Sequence, residues 1–407
     1  MGLSLFSKIG YAFDFVRNKF SGVKKNRIVF TSFDGHYSDS PKYISEKIHE
    51  ISPETEIVWL VSEKYKNLLP DYVTAVDIES KSAKKYIRTA AALVDNVYWR
   101  KVYFRTDNGF LSRLTSKVFR FFAYRKNQLC FTTWHGTPLK RMGRDQIGDK
   151  TVGFDCPNAT MILGNKFTLN IMKRLTFGEM EMKLIGCPRN DVLFSDAEMR
   201  LEIKEKLGLP KDKKVVLYAP TFRTDTTDIN DKNVYRSGIN QINEIDFDAL
   251  FKTLSDKFGG EFVFICRFHY HVEKMVDFAA FEEKYPGKII NGNLHDDMAE
   301  YLAATDVLIT DASSCMFDFA LTGKPCFLLF PDVDRYGSEE RGFYLDIDTL
   351  PFPCSRDFSG MITDIAEFDG EIYKNKTSAM LSDFGYADDK DSSLRVANYI
   401  LERCNIK

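Results

Sequence analysis

The sequence predicts an α/β protein of two doubly wound domains that face a cleft. Three observations carry this. Short β-rich apolar runs alternate with segments of about 10–15 residues at helical spacing, the pattern of parallel βαβ units. The strongest runs, Val215 to Ala219 and Phe327 to Phe330, are apolar almost without a break, as in strands covered on both faces. The alternation stops at the polar joint Gly208-Leu209-Pro210-Lys211-Asp212-Lys213 and then restarts.

In the first half, strands are expected at 27–33, 56–61, 128–133, 159–163 and 183–186, with helices at 166–176 and 194–206. In the second half, strands are expected at 214–219, 261–266, 288–290, 306–310 and 325–330, with helices at 246–258, 272–284 and 296–304. A last amphipathic helix falls near 392–403, and its pattern names no docking site. The expected organisation is a basic amphipathic segment at 1–25, a first domain at 26–208, a second at 209–385 and a C-terminal helix at 386–407.

Composition bounds the function. The chain has 407 residues, 44% hydrophobic and 28% charged, too apolar for a disordered chain. No run approaches the ~18 apolar residues of a membrane span. Lys8, Asp14, Arg17 and Lys19 interrupt the first 20 residues, unlike a signal peptide. Eight cysteines form no C-x-x-C pair and read as thiols of a reducing compartment. Net charge is −2, but residues 1–27 hold six Lys and Arg against Asp14, and residues 100–126 hold eight against Asp107. Each segment can be drawn as an amphipathic helix, with Leu5, Phe6, Ile9, Phe13, Val16 and Phe20 as the apolar face of the first and Phe110, Leu111, Leu114, Val118, Phe121 and Phe122 as that of the second. Both fit docking on an anionic membrane surface. No nucleic-acid motif accompanies them, so nucleic acid is not an expected partner.

Ligands of doubly wound sheets bind beyond the carboxyl ends of the strands. There the sequence places Trp134-His135-Gly136-Thr137, Cys187-Pro188-Arg189, Pro220-Thr221-Phe222-Arg223, Arg267-Phe268-His269 and Asp311-Ala312-Ser313-Ser314. Arg223 and Arg267 can pair with phosphate oxygens, or each can form a structural salt bridge. Ser313 and Ser314 open a short helix and either bind an anion or cap it. His135 and His269 suit proton transfer or phosphate contact. No phosphate loop G-x-x-x-x-G-K-[ST] and no G-x-G-x-x-G fingerprint is present, which disfavours ATP hydrolysis and simple dehydrogenase chemistry. His269 with His271, Asp332 with Asp334, and Asp346 with Asp348 are metal-like spacings without a third ligand, so no metal is expected.

These motifs, in this order, resemble the CDP-glycerol glycerophosphotransferase family of teichoic-acid and capsule synthesis. The resemblance runs over roughly residues 25 to 385 and takes in Phe30 to Gly35, Ser40 to Tyr43, Phe317-Asp318-Phe319 and Arg341 to Asp346. Ala312 departs from it, since the family often has an aromatic there, as does the region of Phe352, where a glycine is common. The resemblance implies a GT-B fold of two Rossmann-like domains without a metal or other cofactor. It implies transfer of glycerol phosphate from CDP-glycerol to a hydroxyl of a lipid-linked acceptor, with release of CMP, at the cytoplasmic face of a bacterial plasma membrane. His135 would be the general base and His269 would stabilise the departing CMP. Arg223, Ser313 and Ser314 would hold the phosphates, with Gly136, Thr137, Arg189, Thr221, Arg267 and Asp311 around the substrates. The alternatives are a CDP-ribitol or nucleotide-sugar transferase of the same fold, and a catalytically silent membrane-bound scaffold.

Overall fold

The computed structural model describes residues 20, 22–33, 35–97, 128–146, 159–176, 180–221, 242, 244–268, 276–335 and 342–406. Most of the basic segment 1–25, all of the basic segment 100–126, and Arg223, His269 and His271 lie outside the described residues.

The chain divides into two compact units. One takes in Met1–His135, Gly153–Asp191 and Ala387–Lys407; the other takes in Gly136–Val152 and Val192–Tyr386. The division therefore falls after Asp191, not at residue 208. Helix Ala197–Lys206 explains the shift. It is tied to the second unit by Arg200, which meets Asp306 at 2.9 Å, and by Lys206, which meets Glu300 at 2.6 Å. The C-terminal segment does not stand apart. Helix Ser392–Cys404 puts Val396, Ala397, Ile400 and Leu401 into the first unit's core beside Ile28, Phe30 and Trp59.

The first unit is built on a seven-stranded parallel sheet. Its strands are β1 (Lys24–Phe30), β2 (Glu56–Val61), β3 (Thr74–Asp77), β4 (Ala90–Asp95), β5 (Leu129–Thr132), β6 (Ala159–Leu163) and β7 (Glu181–Leu184). Their order is β3-β2-β1-β4-β5-β6-β7. β1 lies parallel to both β2 and β4, with Ile28 opposite Ile57 on one side and Ala92 on the other. The strand periodicity of the sequence does not announce β4. Ala90-Ala91-Ala92 is a run of helix formers, yet all six residues of the strand are buried in mid-sheet. Small side chains fit a strand pressed on both faces, and packing overrides propensity. Helix Asp39–Ile51 covers the sheet with Ile44 and Ile48, and its Ser45 hydroxyl accepts a hydrogen bond from the buried Trp59 indole at 3.1 Å.

The second unit holds a six-stranded parallel sheet. Its strands are β8 (Lys214–Ala219), β9 (Phe262–Cys266), β10 (Ile289–Asn291), β11 (Val307–Thr310), β12 (Cys326–Leu329) and β13 (Cys354–Ser355), in the order β10-β9-β8-β11-β12-β13. Phe247 centres one aromatic cluster, 5.0 Å from the Phe264 ring and 5.5 Å from those of Phe281 and Tyr285. Helix Phe247–Phe258 starts where Asp246 accepts from Ala249 N–H at 3.1 Å and stops at Gly259. Both sheets follow the Rossmann order, in which the chain reverses direction between the first and fourth strands. Those reversal points are β1/β4 in the first unit and β8/β11 in the second.

Candidate active site

At the first reversal point, Thr133 N–H continues the ladder by donating to Asp95 C=O at 2.8 Å. The chain then turns sharply. Trp134 adopts a left-handed backbone (φ +54°) and Gly136 has φ +133°, a value side chains rarely allow. This turn projects His135 from the carboxyl end of β5. Its ring stacks on Trp134 at 4.1 Å and 30° and lies 6.0 Å from the Phe33 ring. Nδ1 sits 3.0 Å from the backbone oxygen of Asn96. A carbonyl oxygen only accepts, so Nδ1 carries a proton, and in the neutral ring Nε2 then holds the lone pair. That is the tautomer a general base requires at Nε2.

Arg189, expected around the substrates, has partners within the protein. It is buried in the first unit, where Nη1 meets Asp39 at 2.8 Å and its amide donates to the Ser40 hydroxyl at 3.4 Å. It fastens the start of helix Asp39–Ile51. Nearby Asp191 caps the last helix, accepting from Ser392 N–H at 3.0 Å and Ser393 N–H at 2.7 Å. Burial pushes the Asp191 carboxyl up and those N–H groups pull it back.

Gly136 and Thr137 belong to the second unit, where the Thr137 and Tyr386 hydroxyls share a hydrogen bond of 2.9 Å. The segment that follows forms a clasp with residues 342–344. Arg141 N–H donates to Gly342 C=O at 3.0 Å and Tyr344 N–H donates to Leu139 C=O at 2.8 Å.

At the second reversal point the sequence-predicted residues do meet. The buried Asp311 carboxylate accepts from Thr221 N–H at 2.8 Å, which ties the exit of β8 to the exit of β11. Thr310 reinforces the tie by donating its hydroxyl hydrogen to Ala219 C=O at 2.7 Å. Ser313 and Ser314 precede helix Cys315–Ala320. Ser313 Oγ accepts weakly from Cys315 N–H at 3.4 Å, while Ser314 has helical backbone angles and makes no side-chain cap. Both remain half-exposed.

The Arg267 guanidinium takes up the structural of its two expected roles, donating to Gly292 C=O at 2.7 Å, His295 C=O at 2.5 Å and Asp296 C=O at 2.6 Å. Asn293 brackets the next residue, accepting from Phe268 N–H at 2.9 Å and donating to Phe268 C=O at 2.7 Å. Together they brace the strand exit that leads toward His269.

The acidic triplets also have structural partners. Asp346 accepts from Asp348 N–H at 3.1 Å, and Arg356 lies 3.7 Å from Asp334. Among the described residues no group of three or more His, Cys, Asp or Glu could hold a metal ion. Cys315 is buried in the second unit, and burial pushes its thiol up to about 11, which makes it a poor nucleophile. Cys130 is half-buried. Asn96, Asp39 and Asn293 carry no motif. Asn96 directly follows β4, and a polar residue after a strand is a signal only where the strand itself is recognisable.

Three comparisons bear on identity. The model of the CDP-glycerol:poly(glycerophosphate) glycerophosphotransferase family matches residues 12–402. The teichoic acid poly(glycerol phosphate) polymerase of Staphylococcus epidermidis is 30% identical over 403 residues, covering 94% of this chain and 51% of that protein. The chain thus spans about half the length of that relative. The teichoic acid glycerol-phosphate transferase of Staphylococcus aureus is 28% identical over 93% of both chains. Solved structures of the wall teichoic acid polymerase TagF, one of them soaked with CDPG, superpose with a TM-score of 0.78 at 29% identity, covering 97% of this chain and 93% of that one. With two Rossmann-ordered sheets and this likeness, the fold is α/β of the GT-B class. On the family match across nearly its whole length, the chain belongs to the CDP-glycerol:poly(glycerophosphate) glycerophosphotransferases.

Proposed function

We propose that the chain transfers glycerol phosphate from CDP-glycerol to a hydroxyl of a lipid-linked acceptor, releasing CMP, in teichoic-acid or capsule-type polymer synthesis. The observation that carries this is His135, held at a strand exit with its Nδ1 proton on a backbone carbonyl, in a chain of this family. His135 Nε2 takes the proton of the acceptor hydroxyl. The hydroxyl oxygen bonds to the β-phosphorus of the donor. The bond from that phosphorus to the bridging oxygen breaks, and the electron pair leaves with CMP.

Phosphoryl transfer of this kind is mostly positioning and charge stabilisation. His269 and Arg223 meet the charge of the diphosphate. Ser313, Ser314 and Thr221 supply hydrogen bonds to its oxygens, with Asp311 holding Thr221. Arg189 and Arg267 act through the backbone they brace. The basic segments 1–25 and 100–126 dock the enzyme peripherally on an anionic membrane surface, at the cytoplasmic face, where a lipid-linked acceptor lies.

The test is purified protein with membranes and labelled CDP-glycerol. Label entering the lipid fraction with equimolar CMP is the expected outcome. Label that stays soluble with every acceptor, or enters lipid only from CDP-ribitol, overturns the reading. Mass spectrometry of the product gives the unit added and the number of units.

A further inference from the structure

Asn96 is the first residue after β4, at the reversal point of the first unit. It is fully buried, and it touches both sides of the His135 turn. Its backbone oxygen meets His135 Nδ1 at 3.0 Å. Its side-chain oxygen accepts from Phe33 N–H at 2.9 Å, just past the end of β1. Phe33 has a left-handed backbone (φ +47°), a strained state for a bulky residue, and its ring is 39% exposed beside the imidazole.

The rest of that turn is equally constrained. Gly35 C=O accepts from Ser62 N–H at 2.9 Å, and a side chain at Gly35 would meet Ser62 N at 2.6 Å. Ser32 and His36 bridge beneath it. The turn is therefore held on the β2 side by the Ser62 N–H and hydroxyl on Gly35 C=O and by Tyr65 on His36, and on the β4 side by the Asn96 side-chain oxygen. Asn96 Nδ2 is buried with no hydrogen-bond partner among the described residues. A buried amide left without a partner is costly. An apolar side chain would avoid that cost but could not accept from Phe33 N–H.

We infer that Asn96 is the positioning residue of the base. Its side chain locks the β1 exit to the β4 exit, and this holds its own carbonyl where it fixes the Nδ1–H tautomer of His135. The amide never touches substrate. The inference rests on His135 acting as the base, and the experiment separates the two.

The full chain is labelled with 15N-histidine, and the His135 signal is identified by its loss in His135→Gln. In the wild type, the expected tautomer at neutral imidazole is Nδ1–H. Asn96→Ala is expected to give a mixture of tautomers. Its kcat should fall roughly 10- to 100-fold while KM for CDP-glycerol stays within about twofold, as for loss of a group that orients a catalytic side chain. Asn96→Asp keeps an acceptor for Phe33 N–H and should restore the Nδ1–H tautomer.

A purely structural Asn96 would lower the melting temperature of Asn96→Ala and leave both tautomer and kcat unchanged, which overturns the inference. A predominant Nε2–H tautomer in the wild type overturns it without any variant, so a poorly folding Asn96→Ala does not shield it. Full transfer by His135→Gln would overturn the functional reading itself. An inactive His135→Gln beside a normal Asn96→Ala sinks only the role of Asn96.

Discussion

The two strand-exit regions are built on opposite principles. Around His135 the backbone is strained: Phe33 and Trp134 have positive φ, and among the described residues the other non-glycine positions with positive φ are Asp39, at the start of a helix, and Asn405, at a helix end. Each such residue costs of order 1–3 kcal/mol and persists only where its surroundings hold it. Around Thr221 and Asp311 no non-glycine residue among those described has positive φ. There the backbone is ordinary and the side chains cross-link it, with Asp311 on Thr221, Thr310 on Ala219, and Arg267 on three carbonyls. The contrast matches the two tasks proposed. A base must present one nitrogen at one angle, which strained turns impose. A diphosphate cradle needs rigid N–H and hydroxyl donors, which saturated cross-links supply.

The largest effect expected is at His135. Replacement by Gln should lower kcat roughly 10²- to 10⁴-fold, the usual worth of a general base, with the fold intact by circular dichroism. Retained CMP release would break the comparison at its first side. Next is Arg267→Met, which strands three carbonyls. A loss of about 2–4 kcal/mol in denaturant unfolding is expected, carried by stability more than by donor affinity. An unchanged midpoint with a large rise in KM for CDP-glycerol would restore the role of phosphate clamp. Asp311→Ala should cost about 1–3 kcal/mol, since it removes the acceptor of Thr221 N–H, and should raise KM for CDP-glycerol several-fold. Asp311→Asn keeps an acceptor oxygen and should do less on both counts.

The smallest effect lies away from either site. Lys324 is half-buried near Arg200, and loss of solvent lowers its ammonium from 10.5 to about 8, even though Asp306 is 3.9 Å away. Its folded pKa is below the unfolded one, so the unfolded chain binds more protons between pH 8 and 10.5. Stability relative to Lys324→Met should therefore rise with pH through that window. A flat difference between the two proteins, followed by thermal unfolding at several pH values, would show that Lys324 is not desolvated as described.

Much of this architecture was legible beforehand. The unbroken apolar runs of β8, β9 and β12 and the polar joint near residue 210 announce two parallel sheets, because a strand covered on both faces leaves no room for polar side chains. The order of His135, Arg189, Thr221, Arg267 and Asp311 along the chain marks strand exits. Their tasks were less legible. An arginine beside a ligand and one that braces a loop look alike in sequence, and only the positions of Asp39 and of the carbonyls at 292, 295 and 296 tell them apart.

What the residues determined alone is local: hydrophobic period, turn chemistry and the kinds of group at each strand exit. The tertiary structure decided what depends on distant partners. It placed the alanine-rich β4 in mid-sheet, seated the last helix on the first unit through Asp191, and set Asn96 C=O against His135. Each of these joins residues tens to hundreds of positions apart. Propensity sums over neighbours, and such contacts are chosen by packing and by the need to pair buried polar groups.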